Sequence, residues 1–184
     1  MRKNYPNDYQ ATLSTNSRGK VVEKYVYKGD YFALEPEELW KKSRIPAAAG
    51  AALLAAVYFL TGFTGGESGR LWYVVLPYMA GMLPAAFLAA GAWRVLRAPW
   101  RMKREEKDHS WLRLRSMTAL LTACSGLTFI GQAIFLVFAK NRPTTEWIFF
   151  LLQAVTLTGC CIYMRWIVEK CRKIGKISAD SCSP

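Results

Sequence analysis

The sequence predicts an all-α integral membrane protein: four transmembrane helices arranged as two antiparallel hairpins, preceded by a small cytoplasmic segment. Three observations carry this expectation. Four long apolar runs occupy most of residues 45–168, and each is long enough to cross a hydrocarbon core of ~30 Å at about 1.5 Å per helical residue. The cations are segregated: of 25 Lys and Arg, nine precede the first run, eight lie within Arg94–Arg115 and five follow from Arg165, which leaves Arg70, Lys140 and Arg142 for the other two turns. The seven tryptophans fall near the ends of the runs, as in an aromatic belt.

By the positive-inside rule the two termini and the middle loop are cytoplasmic, and an even number of spans agrees with this. A mean hydropathy of +0.07 and 21% charged residues would suggest a soluble protein if read as averages. A soluble chain of 184 residues, however, has too little sequence left to cover four helices that are apolar all round. The net charge of +12 raises the question of nucleic acid, but no nucleic-acid module surrounds the basic residues.

Residues 1–20 are polar, contain Pro6 and Gly19, show no periodic apolar face and read as disordered. Residues 21–44 form a juxtamembrane segment. Within it Val21–Leu34 turns β-branched and aromatic around Lys28-Gly29-Asp30. This pattern fits a hairpin pairing the strand at Tyr25 and Tyr27 with that at Tyr31 and Phe32; an extended tether touching headgroups through its tyrosines is the alternative. Pro36 followed by Glu37 and Glu38 suits a helix start. With Glu37–Lys41 and Glu38–Lys42 four apart, a short interfacial helix is expected to about Arg44, its Leu39 and Trp40 against lipid.

The first span is Ile45–Phe63, entered through a kink at Pro46. No signal peptide is expected before it. The second span runs from Leu71 to about Val95, and Pro77 and Pro84 should bend or locally break it. The basic middle loop ends this helix near Pro99 and starts the third near Asp108 or Ser110. Its Arg97, Arg101, Lys103, Arg104 and Lys107 are candidate contacts for anionic lipid headgroups, although fixing topology suffices to account for them.

The third span covers about Leu114–Ala139 and the fourth Trp147 to about Val168, with residues 169–184 as a cytoplasmic tail. Small residues collect in the inner half of every span, including Thr118, Thr122 and Gly126 at four-residue spacing, so close helix approach is expected there. Gln132 and Gln153, the only large amides within the runs, lie at nearly equal distances from the turn at Arg142–Pro143. They are a candidate interhelical hydrogen-bonded pair, with contact to a polar solute as the alternative.

No acid, cation or histidine lies deep in any span as drawn, which argues against ion- or proton-coupled transport. Four-helix exporters of the small multidrug type resemble the chain in size, but they depend on a membrane-embedded glutamate that these spans lack. HExxH, GxSxG and phosphate-binding glycine loops are absent. The lone His109 has no second ligand nearby, and the five cysteines show no metal spacing; no disulfide, metal or cofactor is expected. The expectation is therefore a non-enzymatic accessory or interaction subunit of a complex in a plasma membrane, in contact with anionic lipids and either a protein partner or further copies of itself. The alternative is a subunit of an oligomeric pathway for a neutral or lipid-like solute, lined by the second helix.

Overall fold

A computed structural model describes residues 8–15, 21–64, 66–139 and 143–177. Four helices in it are long and apolar enough to cross a membrane. They are α1 (Glu37–Thr61), α2 (Trp72–Arg97), α4 (Arg113–Phe138) and α5 (Thr144–Arg172). The short α3 (Arg104–Lys107) and a π-helical turn over Asp108–Leu112 extend α4 backwards into one rod, Arg104–Phe138. α1 and α2 form one hairpin and α4 and α5 the other; α2 packs on α4 and α1 on α5, closing a four-membered ring.

The outer surface of this ring is apolar, unlike that of a water-soluble bundle. Leu53, Leu60, Leu83, Leu127, Val137 and Ile162 are exposed, whereas Ser125, Thr128, Gln132, Gln153 and Thr156 are buried. An apolar outer surface around a core that mixes apolar side chains with buried hydroxyls and amides is the distribution expected when lipid surrounds the helices, and together with helix length it suggests a multi-pass membrane protein. Each of the four buried threonines among the described residues donates its hydroxyl to a carbonyl one turn back: Thr61 to Val57, Thr118 to Leu114, Thr128 to Cys124 and Thr156 to Leu152. These hydroxyls are thus satisfied within their own helices.

The helix divisions expected at the prolines of the first two spans are not found. α1 runs unbroken from Glu37 through Pro46 to Thr61, so no separate interfacial helix exists. Pro46 lies on the exposed face, where the Lys42 carbonyl it leaves without a helical donor is not sealed in the core. The Glu37–Lys41 ion pair forms, at 2.9 Å. α2 likewise continues through Pro77 and Pro84 without a local break. Pro77 deprives the Tyr73 carbonyl of its helical donor; that oxygen is turned toward Gly131 of α4, where an added β-carbon would lie 2.9 Å from it. Glycine at this position lets α4 approach the freed carbonyl, and the seam between the two helices absorbs the proline.

One hydrogen-bonded pair ties the first hairpin. Tyr58 donates to the Tyr78 carbonyl at 2.7 Å and Tyr78 donates to the Tyr58 carbonyl at 2.9 Å. Their rings stack at 5.0 Å. At the other end, Tyr163 of α5 donates to the Ala47 carbonyl of α1 at 2.8 Å.

The end carrying the start of α1 and the end of α5, here the cap end, is covered by strands drawn from distant parts of the sequence. β3 (Tyr31–Leu34) is the centre of an antiparallel sheet, flanked by β4 (Met102–Lys103) and β5 (Ile174–Ile177). Ala33, Leu34, Met102 and the side chain of Trp111 are fully buried beneath it. β1 (Tyr9–Thr15) and β2 (Val21–Tyr27) make a separate two-stranded hairpin in register Tyr9↔Tyr27 to Thr15↔Val21.

This arrangement corrects three expectations. β2 pairs backwards with β1 instead of forwards with β3, because seven facing residue pairs are available on that side and the apolar β3 is drawn between β4 and β5 over the helix ends. Residues 9–15 of the expected disordered segment are a strand, while 1–7 and 16–20 lie outside the described residues. The expected tail from 169 completes α5 and contributes β5, with 178–184 outside the described residues. Trp40 and Trp111 also depart from the belt, being buried in the bundle instead of facing lipid.

Candidate functional site

The opposite end, here the turn end, holds the one buried carboxylate of the described residues. Glu146 stands in the first turn of α5, after the N-cap Pro143, and its side chain is wholly buried. One carboxylate oxygen accepts the Ser68 amide N–H at 3.0 Å; the other accepts the Ser68 hydroxyl at 2.5 Å and the Gln132 side-chain amide at 2.8 Å. No cation is paired with it in these contacts. Its charge is met by dipoles: three directed donors and the positive end of α5. Gly66 makes the approach possible, since a β-carbon there would overlap the carboxylate. The cluster joins α4, α5 and the α1–α2 turn at one point.

Sequence reasoning passed over this residue because Glu146 precedes the apolar run and shares a turn with Lys140 and Arg142, so it reads as solvated. A signal was present: Glu146 is the only acid between Asp108 and Glu169, and it follows Pro-Thr-Thr at a helix start, where a carboxylate is favoured. Glu146 precedes the fourth span as drawn, so its burial leaves standing the expectation that no acid lies deep in a span. Its place in the first turn puts it at the end of the span instead of the middle.

The amide pair is also corrected. Gln132 and Gln153 are both fully buried, as a pair would require, but Gln132 donates to Glu146 and neither polar atom of Gln153 has a partner. The register explains this. Phe129 stacks on Phe150 at 4.6 Å, so three residues along each antiparallel helix bring Gln132 level with Trp147 and Gln153 level with Gly126. The two amides are offset by six residues of helix, about 9 Å. The hydroxyl of Ser125, close to the level of Gln153, is likewise buried and without a partner.

Two clefts flank the bundle. At the turn end an apolar cleft of about 570 Å³ opens between α1 and α2. Phe59, Val75, Tyr78, Met79 and Phe149 line it, with Arg70 and Gly66 at its rim.

At the cap end a cleft of about 510 Å³ lies where α2 gives way to β4 and α3. Trp93, Arg94 and Arg97 of α2 form one wall, Lys103, Glu105 and Glu106 another, and Tyr9 and His109 complete it. The Arg97 guanidinium lies 4.2 Å from the centre of the Trp93 ring. Glu106 is already engaged, accepting the Lys103 main-chain N–H at 3.0 Å.

Of the five cations singled out in the middle loop, the fold thus brings Arg97 and Lys103 into one cleft and adds Arg94, which the sequence reading left out. The other three are not among its lining residues. Arg101 lies over Trp100 at 5.3 Å and Lys107 over Phe32 at 3.6 Å. The Arg104 main-chain N–H donates to the Tyr27 hydroxyl at 3.2 Å.

Tyr27 is the joint between hairpin and cap. Its hydroxyl also donates to the Asp30 carbonyl at 2.8 Å, its ring meets Tyr9 and Tyr31 edge-on at 5.3 and 5.2 Å, and burial pushes its pKa up. Nearby, Lys176 of β5 pairs with Asp30 at 2.8 Å and holds that carboxyl below its usual range.

Among the described residues no group of three or more His, Cys, Asp or Glu side chains is placed to hold a metal. No protein-family model, curated protein or solved structure matches the chain.

Proposed function

We propose that the chain is a non-enzymatic accessory subunit of a plasma-membrane complex, with both termini and the cap in the cytoplasm, and that the β1–β2 hairpin is its partner-binding element. The observation that carries this reading is the hairpin's surface. Val21 and Val26 are 66% and 41% exposed, on a two-stranded sheet to which no third strand pairs among the described residues. An isolated two-stranded hairpin is marginal in water, and an unpaired strand edge beside exposed apolar side chains is a template for strand addition by another chain. The cation distribution supports placing this end inside.

Purification from native membranes in mild detergent tests the reading. A partner is expected at fixed stoichiometry in the parent, and is expected to be lost in Val21→Asp/Val26→Asp but kept in a control such as Lys41→Asp. A strictly monomeric preparation without a partner contradicts it.

The turn-end cleft favours a second reading, a subunit of a pathway for a lipid-like solute, since its apolar lining and single rim cation match an acyl chain with an anionic head. That reading requires a homo-oligomer and flux in liposomes containing this protein alone.

A further inference from the structure

We infer that the cap-end cleft is a binding site for the phosphodiester headgroup of an anionic phospholipid. The inference rests on the membrane placement proposed above, but not on the role of the hairpin. Three features of the cleft point to this ligand.

The first is charge. Arg94, Arg97 and Lys103 line the cleft. Glu105 and Glu106 also line it, so three cations face two carboxylates, and Glu106 accepts the Lys103 main-chain N–H. Guanidinium groups recognise phosphate oxygens in pairs of parallel hydrogen bonds, and two of them one turn apart on α2 can address one phosphodiester from the same side. The stacking of Arg97 on Trp93 restrains its side chain before any ligand arrives, which lowers the entropy lost on binding.

The second is position. On α2 each of the two arginines directly follows an exposed apolar residue, Trp93 before Arg94 and Leu96 before Arg97, 58% and 41% exposed, and the helix ends at Arg97. An apolar surface continuing directly into a cationic cleft matches a phospholipid at the boundary between its acyl chains and its phosphate. An acidic peptide or a soluble nucleotide would not use the apolar half. A tryptophan at this boundary is itself a feature of the bilayer interface.

The third is size. A volume of about 510 Å³ accommodates a headgroup but not a whole lipid, so the chains must remain outside, along the exposed face of α2. The cleft is therefore shaped for one end of an amphipathic molecule.

The test uses the full-length protein purified in a neutral detergent, with phosphatidylglycerol, phosphatidylcholine or glycerol 1-phosphate added separately. Bound lipid is counted by native mass spectrometry and stabilisation is read as a shift in melting temperature. Phosphatidylglycerol is expected to be retained and to raise the melting temperature, with phosphatidylcholine weaker by tenfold or more and glycerol 1-phosphate without effect at the same concentration. Because each cation near an anionic surface is worth roughly fivefold in affinity, Arg94→Gln/Arg97→Gln should weaken retention by roughly tenfold or more. A double control at the same end, Arg113→Gln/Lys170→Gln, removes two cations that stack on Phe87 and Trp166. It should leave retention unchanged. Equal weakening in both doubles would reduce the effect to general surface charge and overturn the site. Retention of the two lipids alike would overturn it too, and that comparison needs no variant. Stabilisation by glycerol 1-phosphate equal to that by the lipid would overturn the lipid assignment. Any of these failures leaves detergent-dependent extraction from membranes unaffected, which separates the failure of this inference from failure of the membrane placement.

Discussion

Replacing Glu146 tests whether a buried carboxylate holds the turn end together. Its oxygens accept three donors at 2.5–3.0 Å. Hydrogen bonds to a charged group contribute about 1.5–3 kcal/mol each, and a buried donor left without an acceptor costs about 1–3 kcal/mol. Against this stands the cost of burying the charge itself, several kcal/mol, which any neutral replacement recovers. Glu146→Leu should therefore destabilise by about 2–4 kcal/mol, less than three lost bonds would suggest. Glu146→Gln should cost only about 1 kcal/mol. It keeps an acceptor for Ser68, and its new amide donor can meet the Gln132 carbonyl oxygen, which has no partner, once the Gln132 amide flips. Adding Gln132→Leu to Glu146→Leu removes one stranded donor, so the double variant should cost less than the sum of the singles by about 1–3 kcal/mol. The assay is reversible unfolding in mixed micelles of mild detergent and dodecyl sulfate, followed by circular dichroism and tryptophan fluorescence. A Leu variant as stable as the parent, or a Gln variant as damaged as the Leu one, would refute a structural carboxylate.

Three further outcomes follow from the same contacts. Gln153→Leu should be neutral or stabilise by about 1 kcal/mol in that assay, because it removes a buried amide with no partner and fills nearly the same volume; a loss above about 2 kcal/mol would mean that the amide is satisfied by a group the described contacts do not include. Tyr27→Phe should cost about 1 kcal/mol through its lost hydroxyl bonds and raise amide hydrogen exchange in β1 and β2 while leaving α1–α5 protected, whereas uniform exchange would contradict its role as the joint. Asp30 has a folded pKa below its unfolded value, so its pairing stabilises above the unfolded pKa of about 3.9 and is lost as pH falls through the lower folded value. Asp30→Asn should accordingly flatten any fall in cap stability below about pH 4, and an unchanged acid profile would sink that assignment.

The four helices were legible because run length and the need to satisfy every backbone group leave little choice once about 20 apolar residues stand together. Ends and pairings were harder. No helix division occurs at Pro46 or Pro77, because proline removes a local donor, whereas the outcome depends on what the freed carbonyl meets: the open face of α1 in one case and Gly131 of another helix in the second. The sheet was invisible because β4 is two residues long and β3 finds its partners 70 and more residues away. Those separations come from the helical hairpins, which bring the ends of α2 and α5 beside the start of α1. The amides were correctly placed inside the bundle, but the register was taken from the turn at Arg142–Pro143 when the Phe129–Phe150 stack sets it. Glu146 was missed for the opposite reason, since a residue at the edge of an apolar run is buried or exposed according to the neighbouring turn, here Gly66–Ser68.

The most direct test of a four-span protein with its cap inside is two-sided cysteine labelling in a background with the native cysteines replaced. Gly69 in the α1–α2 turn and Gly175 in β5 are exposed, and a side chain added at either meets no other group within 4 Å. A cysteine at either position should therefore report location without disturbing the fold. In intact cells a membrane-impermeant maleimide is expected to label Gly69→Cys and to miss Gly175→Cys until the membrane is opened. Labelling of Gly175→Cys alone in intact cells would reverse the orientation, and equal labelling of both would contradict a membrane between them.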